Sequence, residues 1–318
     1  YQKLGDELFL LKGSGSNGNG LAHYPDGREY YLYLLRSNTG SYRDIRDIKT
    51  MLFRDFNDNL EALYALLQAN PSLVSLQDSS PDAFAFNKPA DMLKNLQQMM
   101  TRDYPALNEV TQGEMPVCTV KSISKNLEEY CSPAFYLTPP LDDIHENVIY
   151  INQKNNPEGV ELYTTLAHEG YPGHLYQTVY KQLYSQKTQE NPVRSLLNYG
   201  GYVEGWAMYV ELEAYGYAKD LMKDKMPQAE TLYEIYKLDR QIQLGLYSLV
   251  DIAVHYEGAD YGQVHKMLAS VGITTPATTR SIYEYIVEEP TTYLKYYLGY
   301  LEILNLKKEA KELWGNAY

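Results

Sequence analysis

Apolar residues return every three to four positions along most of this chain. Tyr30, Tyr31, Leu34 and Leu35 do so within 28–36, and Ile45, Ile48, Met51, Leu52, Phe56, Leu60, Leu63 and Leu67 within 44–69. That spacing keeps one helical face toward a core, so both stretches predict helices. Asn70-Pro71 stops the second, and 78–89, with Pro81 and Pro89 and few periodic positions, reads as a loop. Residues 1–11 read as the last part of a helix, 13–20 as a Gly/Ser/Asn loop, and 90–101 as a helix that ends before Tyr104-Pro105. The period then changes. The runs 116–120, 134–137 and 147–152 are short and rich in branched or aromatic residues, which predicts a small sheet. From there the helical period resumes over 160–186, 194–220, 227–256, 260–270, 278–287 and 291–313. The predicted fold is mainly α with a small β-sheet.

One helical stretch carries chemistry: Leu166-Ala167-His168-Glu169-Gly170-Tyr171-Pro172-Gly173-His174. Two imidazoles around a glutamate are the ligands and general base of a zinc hydrolase, usually with the histidines four residues apart on one helical face. Here the spacing is six, which on an unbroken helix puts the rings about 120° apart. Pro172 has no N–H for the carbonyl of His168, and Gly173 tolerates almost any backbone dihedral, so a bulge or break there can swing His174 back beside His168. The plain alternative is two consecutive helices whose histidines only cap or pack.

A third ligand is available in Glu204, which lies thirty residues beyond His174 among Tyr202, Val203, Trp206, Ala207 and Met208. So apolar a setting argues for a buried carboxylate, and a buried carboxylate needs a partner. Glu211, about two turns further along the same face, can orient a ligand imidazole from behind.

The combination His168-Glu169-x-x-Pro172-Gly173-His174 with Glu204-Gly205-Trp206-Ala207-x-Tyr209-x-Glu211 resembles the bacterial "domain of unknown function 885" family, which belongs with the zincin-type metallopeptidases. The resemblance continues at Gly20 to Gly27 with Tyr30-Tyr31, at Asp251 with His255, and at Pro290, Tyr296 and Gly299, so it covers nearly the whole chain. It implies a zincin-like helical metallopeptidase fold, with the sheet beside the active-site helix and a strand, 147–152, at the edge facing the metal. It also implies that 1–318 is one catalytic region, the C-terminal part of a protein about twice as long. Sub-lobes would fall at 1–110 (helical) and 111–318 (metal site), and the N-terminal half of the same polypeptide would pack on the region. Members of the family are mostly exported or lipid-anchored at the bacterial cell surface. By the same resemblance His168, His174 and Glu204 would hold Zn²⁺ and Glu169 would be the general base. Tyr296 would donate to the oxyanion with His255 as helper, and Glu211 and Asp251 would stand behind the ligands. The plain alternatives are an imidazole of His255 paired with Asp251, and a Tyr296 that is one core tyrosine among many.

Charge and composition narrow the partners. A net charge of −13 argues against nucleic acid or an anionic membrane surface, and no run of apolar residues is long enough to span a bilayer. The 33 tyrosines exceed what a core needs, and either a peptide groove or a compositional bias accounts for them. Cys118 and Cys131 are separated by twelve residues; in an exported protein such a pair would form a disulfide, and in a cytosolic one it would be two unrelated reduced thiols, with the disulfide slightly favoured. No nucleophile elbow or phosphate loop is present. His23 and His265, in loop-like or amphipathic surroundings, read as surface or structural histidines rather than ligands, and His145, just before the strand at 147–152, could reach the cleft but reads as a loop residue. Two functions stay open: a zinc peptidase acting on a peptide substrate, and a non-catalytic peptide-binding or cell-surface module that keeps the fold.

Overall fold

The computed structural model describes residues 1–11, 18–73, 84–109, 116–140, 143–154, 157–191, 193–194 and 197–315. The helices follow the apolar spacing: α1 (Gln2–Leu11), α2 (Gly27–Thr39), α3 (Ile45–Ala69) and α4 (Pro89–Met99) precede three strands, β1 (Val117–Ser122), β2 (Ala134–Leu137) and β3 (Glu146–Ile151). After them come α5 (Gly159–Glu169), α6 (His174–Thr188), α7 (Gly200–Met222), α8 (Ala229–Ile252), α9 (Tyr261–Ala269), α10 (Pro276–Glu288) and α11 (Thr292–Trp314). The chain is mainly helical with a small sheet, as its periodicity predicts. The expected loops 13–20 and 78–89 lie partly outside the described residues, as does the expected sub-lobe boundary at 110.

Three boundaries differ from expectation. The stretch 160–186 is two helices with a break at residues 170–173. The helix expected from 194 starts at Gly200, where Gly200 and Gly201 meet the end of α2; a Cβ on Gly201 would lie 2.2 Å from the Thr39 carbonyl oxygen. α8 passes into one wide π turn, Ala253–Glu257, which ends at Gly258 with φ of 85°.

The sheet order is β1-β3-β2, with β3 parallel to β1 and antiparallel to β2. The strand at 147–152 is therefore central rather than an edge. Its alternate residues Asn147, Ile149 and Ile151 are buried, and both of its edges are paired. β2 is the edge beside α5. This order also separates the cysteines: Cys118 pairs with Asn147, whereas the Cys131 carbonyl accepts from the side chain of Asn152, five residues further along and just past the end of β3. Five residues of strand span about 16 Å, far beyond disulfide reach. Both are free thiols, which corrects the expected disulfide.

One continuous apolar core runs from Tyr31 to Leu301. Tyr31, Tyr163, Tyr233 and Tyr297 lie within it, fully buried, so part of the tyrosine excess is core. Its tightest crossing joins α7 to α11. A Cβ on Gly205 would lie 2.4 Å from the carbonyl carbon of Gly299, and one on Gly299 would lie 2.3 Å from the oxygen of Gly201. Only glycines let two helix backbones come this close, and this contact sets where the start of α11 stands over α7.

Candidate metal centre

α5 ends at Glu169, and the chain turns sharply through Gly170 to Gly173. The backbone of Gly173 lies against the end of α5, where a Cβ would be 1.8 Å from the oxygen of His168. The turn is held from outside: Trp206 Nε1 donates to the Pro172 carbonyl at 2.8 Å, and the Tyr176 N–H donates to the carbonyl of Gly170 at 3.2 Å. His174 is thus the first residue of α6 and returns beside His168. The ring centroids are 4.8 Å apart and the planes nearly perpendicular, at 89°. The six-residue spacing works because the helix is broken.

α7 presents Glu204 to both rings. Its Oε2 lies 3.5 Å from His168 Nε2 and 3.3 Å from His174 Nε2. Neither contact has the direction of a hydrogen bond, and Glu204 Oε2 is a buried oxygen without a hydrogen-bond partner. In a tetrahedron with metal–ligand distances of about 2.0–2.1 Å, neighbouring ligand atoms are about 3.3–3.4 Å apart. Both measured separations fall close to that value, the spacing that a carboxylate oxygen shows to imidazole nitrogens bound to the same ion. Glu169 also comes within 4.8 Å of the two imidazoles. Glu169 Oε2 already accepts the Tyr136 N–H at 2.7 Å, whereas Glu204 Oε2 has no hydrogen-bond partner among the described residues.

Behind His168 stands Glu211, two turns after Glu204. Its Oε2 lies 2.9 Å from His168 Nδ1, and its Oε1 accepts from Arg240 Nε at 2.9 Å. A proton held on Nδ1 by this carboxylate leaves the Nε2 lone pair facing Glu204, the tautomer a metal ligand requires. Burial pushes the Glu211 carboxyl up, but Arg240 and His168 outweigh it and bring it down to about 2. Burial likewise raises Glu204, and the two imidazoles more than reverse this, holding it well below the usual carboxylate range. Burial pushes the His168 imidazole down, yet Glu204 and Glu211 raise it to about 10. Glu204 and Glu211 together favour positive charge at His168.

Glu169 is different. Burial raises its carboxyl against the pull of both imidazoles. Tyr296, from the second turn of α11, stacks 6.1 Å from the ring of His168. Burial, with Glu204 and Glu169 nearby, pushes its phenol well above the ordinary tyrosine value, so it stays protonated. His168, Glu169, Glu211 and Tyr296 line one cleft of about 890 Å³, bounded by the start of β2 and by α5, α7, α8, α10 and α11. A second cavity, of about 740 Å³, lies between α6 and the start of α7, walled by Tyr104, Tyr176, Tyr180, Tyr202 and Trp206.

The structure does not bring Asp251 and His255 into this cluster. His255 Nδ1 accepts the Leu21 N–H at 3.1 Å and Nε2 donates to the Ile286 carbonyl at 2.7 Å, so neither ring nitrogen is free for a substrate. Asp251 bonds to Tyr31 and Thr291 instead of to His255. His265 bonds to Thr279, and His145 lies exposed in the loop before β3, as their surroundings in the sequence suggest. Two participants escape a reading of the sequence. The Tyr136 N–H is a backbone group, and Arg240 carries no signal except that it is a cation on a mostly apolar helix.

Solved structures with this fold exist. The whole chain superposes on the "putative lipoprotein" of Colwellia psychrerythraea with a TM-score of 0.72 and 19% identity, covering 100% of this chain and 55% of that one. It superposes on a "putative lipoprotein of unknown function" from Shewanella oneidensis with a TM-score of 0.58 and 17% identity, covering 100% and 59%. At such identities the likeness is one of fold, and the chain spans a little over half the length of either protein. No curated protein matches it. The family model described as "Bacterial protein of unknown function (DUF885)" matches residues 2–318, and the chain belongs to that family.

Proposed function

We propose that this chain is the catalytic part of a zinc-dependent peptidase, with His168, His174 and Glu204 as ligands. The observation that carries the reading is the convergence of two Nε2 atoms on the unbonded, buried Glu204 Oε2 at 3.3 and 3.5 Å. Two histidines, one glutamate and a free position form a common catalytic zinc set. Bound there, zinc would supply a Lewis acid for the scissile carbonyl and acidify its water.

The residues of the chain do the rest. Glu169, one oxygen fixed by the Tyr136 N–H, takes a proton from the attacking water with the other and returns it to the leaving amine. The protonated phenol of Tyr296 donates to the oxygen on which negative charge develops. Glu211 and Arg240 keep His168 in the ligand tautomer and hold its ring in place. The outer edge of β2 is not paired within the sheet and offers backbone groups to an extended peptide lying in the cleft.

A helix bearing His-Glu, with an edge strand beside it, is a zincin-like arrangement. In this reading the chain is the C-terminal half of a larger protein and the other half packs against it; the solved relatives are longer chains, of which it covers 55% and 59%. Their descriptions as lipoproteins agree with an exported or lipid-anchored protein, and no helix among the described residues is long and apolar enough to cross a membrane. The test is metal content together with hydrolysis. Purified without chelator, the protein should hold about one equivalent of zinc, and His168→Ala should lose it. Protein that cannot be loaded and cleaves no peptide would instead be a binding module that keeps the fold.

A further inference from the structure

Tyr296 has no side-chain hydrogen bond among the described residues, so its phenol stands where α11 puts it. The start of α11 is pinned unusually firmly. Thr291, the residue before the first turn, is fully buried and left-handed, with φ of 69° and ψ of 5°, a conformation that a β-branched residue adopts only when its surroundings enforce it. Its N–H donates to Asp251 Oδ2 at 2.9 Å, its hydroxyl accepts from Asn38 Nδ2 at 2.8 Å, and its carbonyl accepts the Lys295 N–H at 3.2 Å. Asp251 is itself fully buried, contacts no cation among the described residues, and receives its second bond from the Tyr31 hydroxyl at 2.6 Å. A carboxylate buried without a countercharge is costly, so its place needs a reason.

We infer that Asp251 is a positioning residue for Tyr296: by holding the Thr291 N–H it fixes the start of α11, and so the phenol five residues further on, over His168. The other anchor of the same segment is Gly299 against Gly201 and Gly205, three residues beyond Tyr296. The two anchors bracket Tyr296 on either side. With the Thr291 anchor gone, the first turn of α11 is free to shift. A misplacement of about 1 Å at a reacting group costs up to about 10²-fold in rate.

The inference rests on the peptidase reading, and the test separates the two. In the full, zinc-loaded protein, Asp251→Ala should lower kcat about tenfold, with KM within about twofold and zinc content unchanged, because the bond from Tyr296 is strongest in the transition state. Asp251→Asn should recover most of the loss: its oxygen accepts from Thr291 while its amide turns to the Tyr31 oxygen. In a Tyr296→Phe background, Asp251→Ala should cost no further kcat; an equal loss in both backgrounds means that Asp251 does not act through Tyr296 and overturns the inference. Amide hydrogen exchange gives a readout without activity. Asp251→Ala should speed exchange at residues 291–296 at least about tenfold and leave 201–211 unchanged. If the wild-type protein hydrolyses no peptide, exchange alone decides, and unchanged protection at 291–296 overturns the inference. Should Asp251→Ala fail to fold, Asn38→Ala removes the bond to the Thr291 hydroxyl and keeps the buried carboxylate satisfied. It should give the same pattern at about threefold in kcat, and no change in kcat or exchange overturns the inference.

Discussion

Glu169 and Glu204 are both buried carboxylates near the same imidazoles, yet their environments push them apart. One is raised by burial and free to take a proton; the other is held ionised by two rings. Glu169→Gln should therefore keep the metal and lower peptide hydrolysis by at least about 10²-fold, read as zinc content beside kcat/KM. Asp251 makes a different pH prediction. Burial outweighs its bonds from Tyr31 and Thr291 and raises its carboxyl to about 7, so the folded chain binds this proton more tightly than the unfolded chain does. Stability from that proton is complete below the unfolded value of about 3.9 and is lost as pH rises toward 7. Asp251→Asn removes the titration. Its unfolding free energy relative to wild type should grow between pH 4 and 7 and then level off, measured by denaturant titration across that range. At this scale the sequence is informative wherever residue type and spacing carry the chemistry, as for His168, Glu169, His174, Glu204 and Glu211. It is silent on Arg240 and the Tyr136 N–H, because nothing local says which distant groups they will meet.

Element by element, the apolar period places the helices to within a few residues, and the departures have local causes. Pro172 and Gly173 mark the break in the His-Glu helix, while its sharpness depends on the contact between Gly173 and the His168 carbonyl, which only the fold reveals. Strand identity is legible from alternation. Strand order is not, because β1 and β2 both pair with β3 through contacts distant in sequence, and the central place of β3 and the separation of Cys118 from Cys131 follow only from that order. The crossing of α7 and α11 gives the clearest prediction for an element. Gly205→Ala puts a methyl group into the backbone of Gly299, where no side-chain adjustment relieves it. It should destabilise the fold by about 1–3 kcal/mol or more and, in whatever remains folded, displace Tyr296 from His168. Thermal unfolding, followed with kcat of the folded fraction, checks both effects.

Across the whole molecule, the three proposed ligands come from three elements, α5, α6 and α7, so a bound ion would tie together segments otherwise joined by a turn and a long connection. Zinc at about a hundred times its Kd should add about 2.7 kcal/mol to unfolding. Chelation should then lower Tm by several degrees, reversed by adding zinc; a Tm indifferent to both would remove the metal from this site. The break at Gly170 to Gly173 has a further consequence for how such a protein can change over generations. In an unbroken helix, an insertion beyond the first ligand would rotate everything after it and ruin the second. Here α6 starts afresh at His174, so its later turns do not continue the axis of α5. Its outer turns, which form a wall of the Tyr104 and Trp206 cavity, can lengthen or acquire new side chains without changing the spacing from His168 to His174, so that wall can be remodelled by selection or by design while the proposed ligands keep their places.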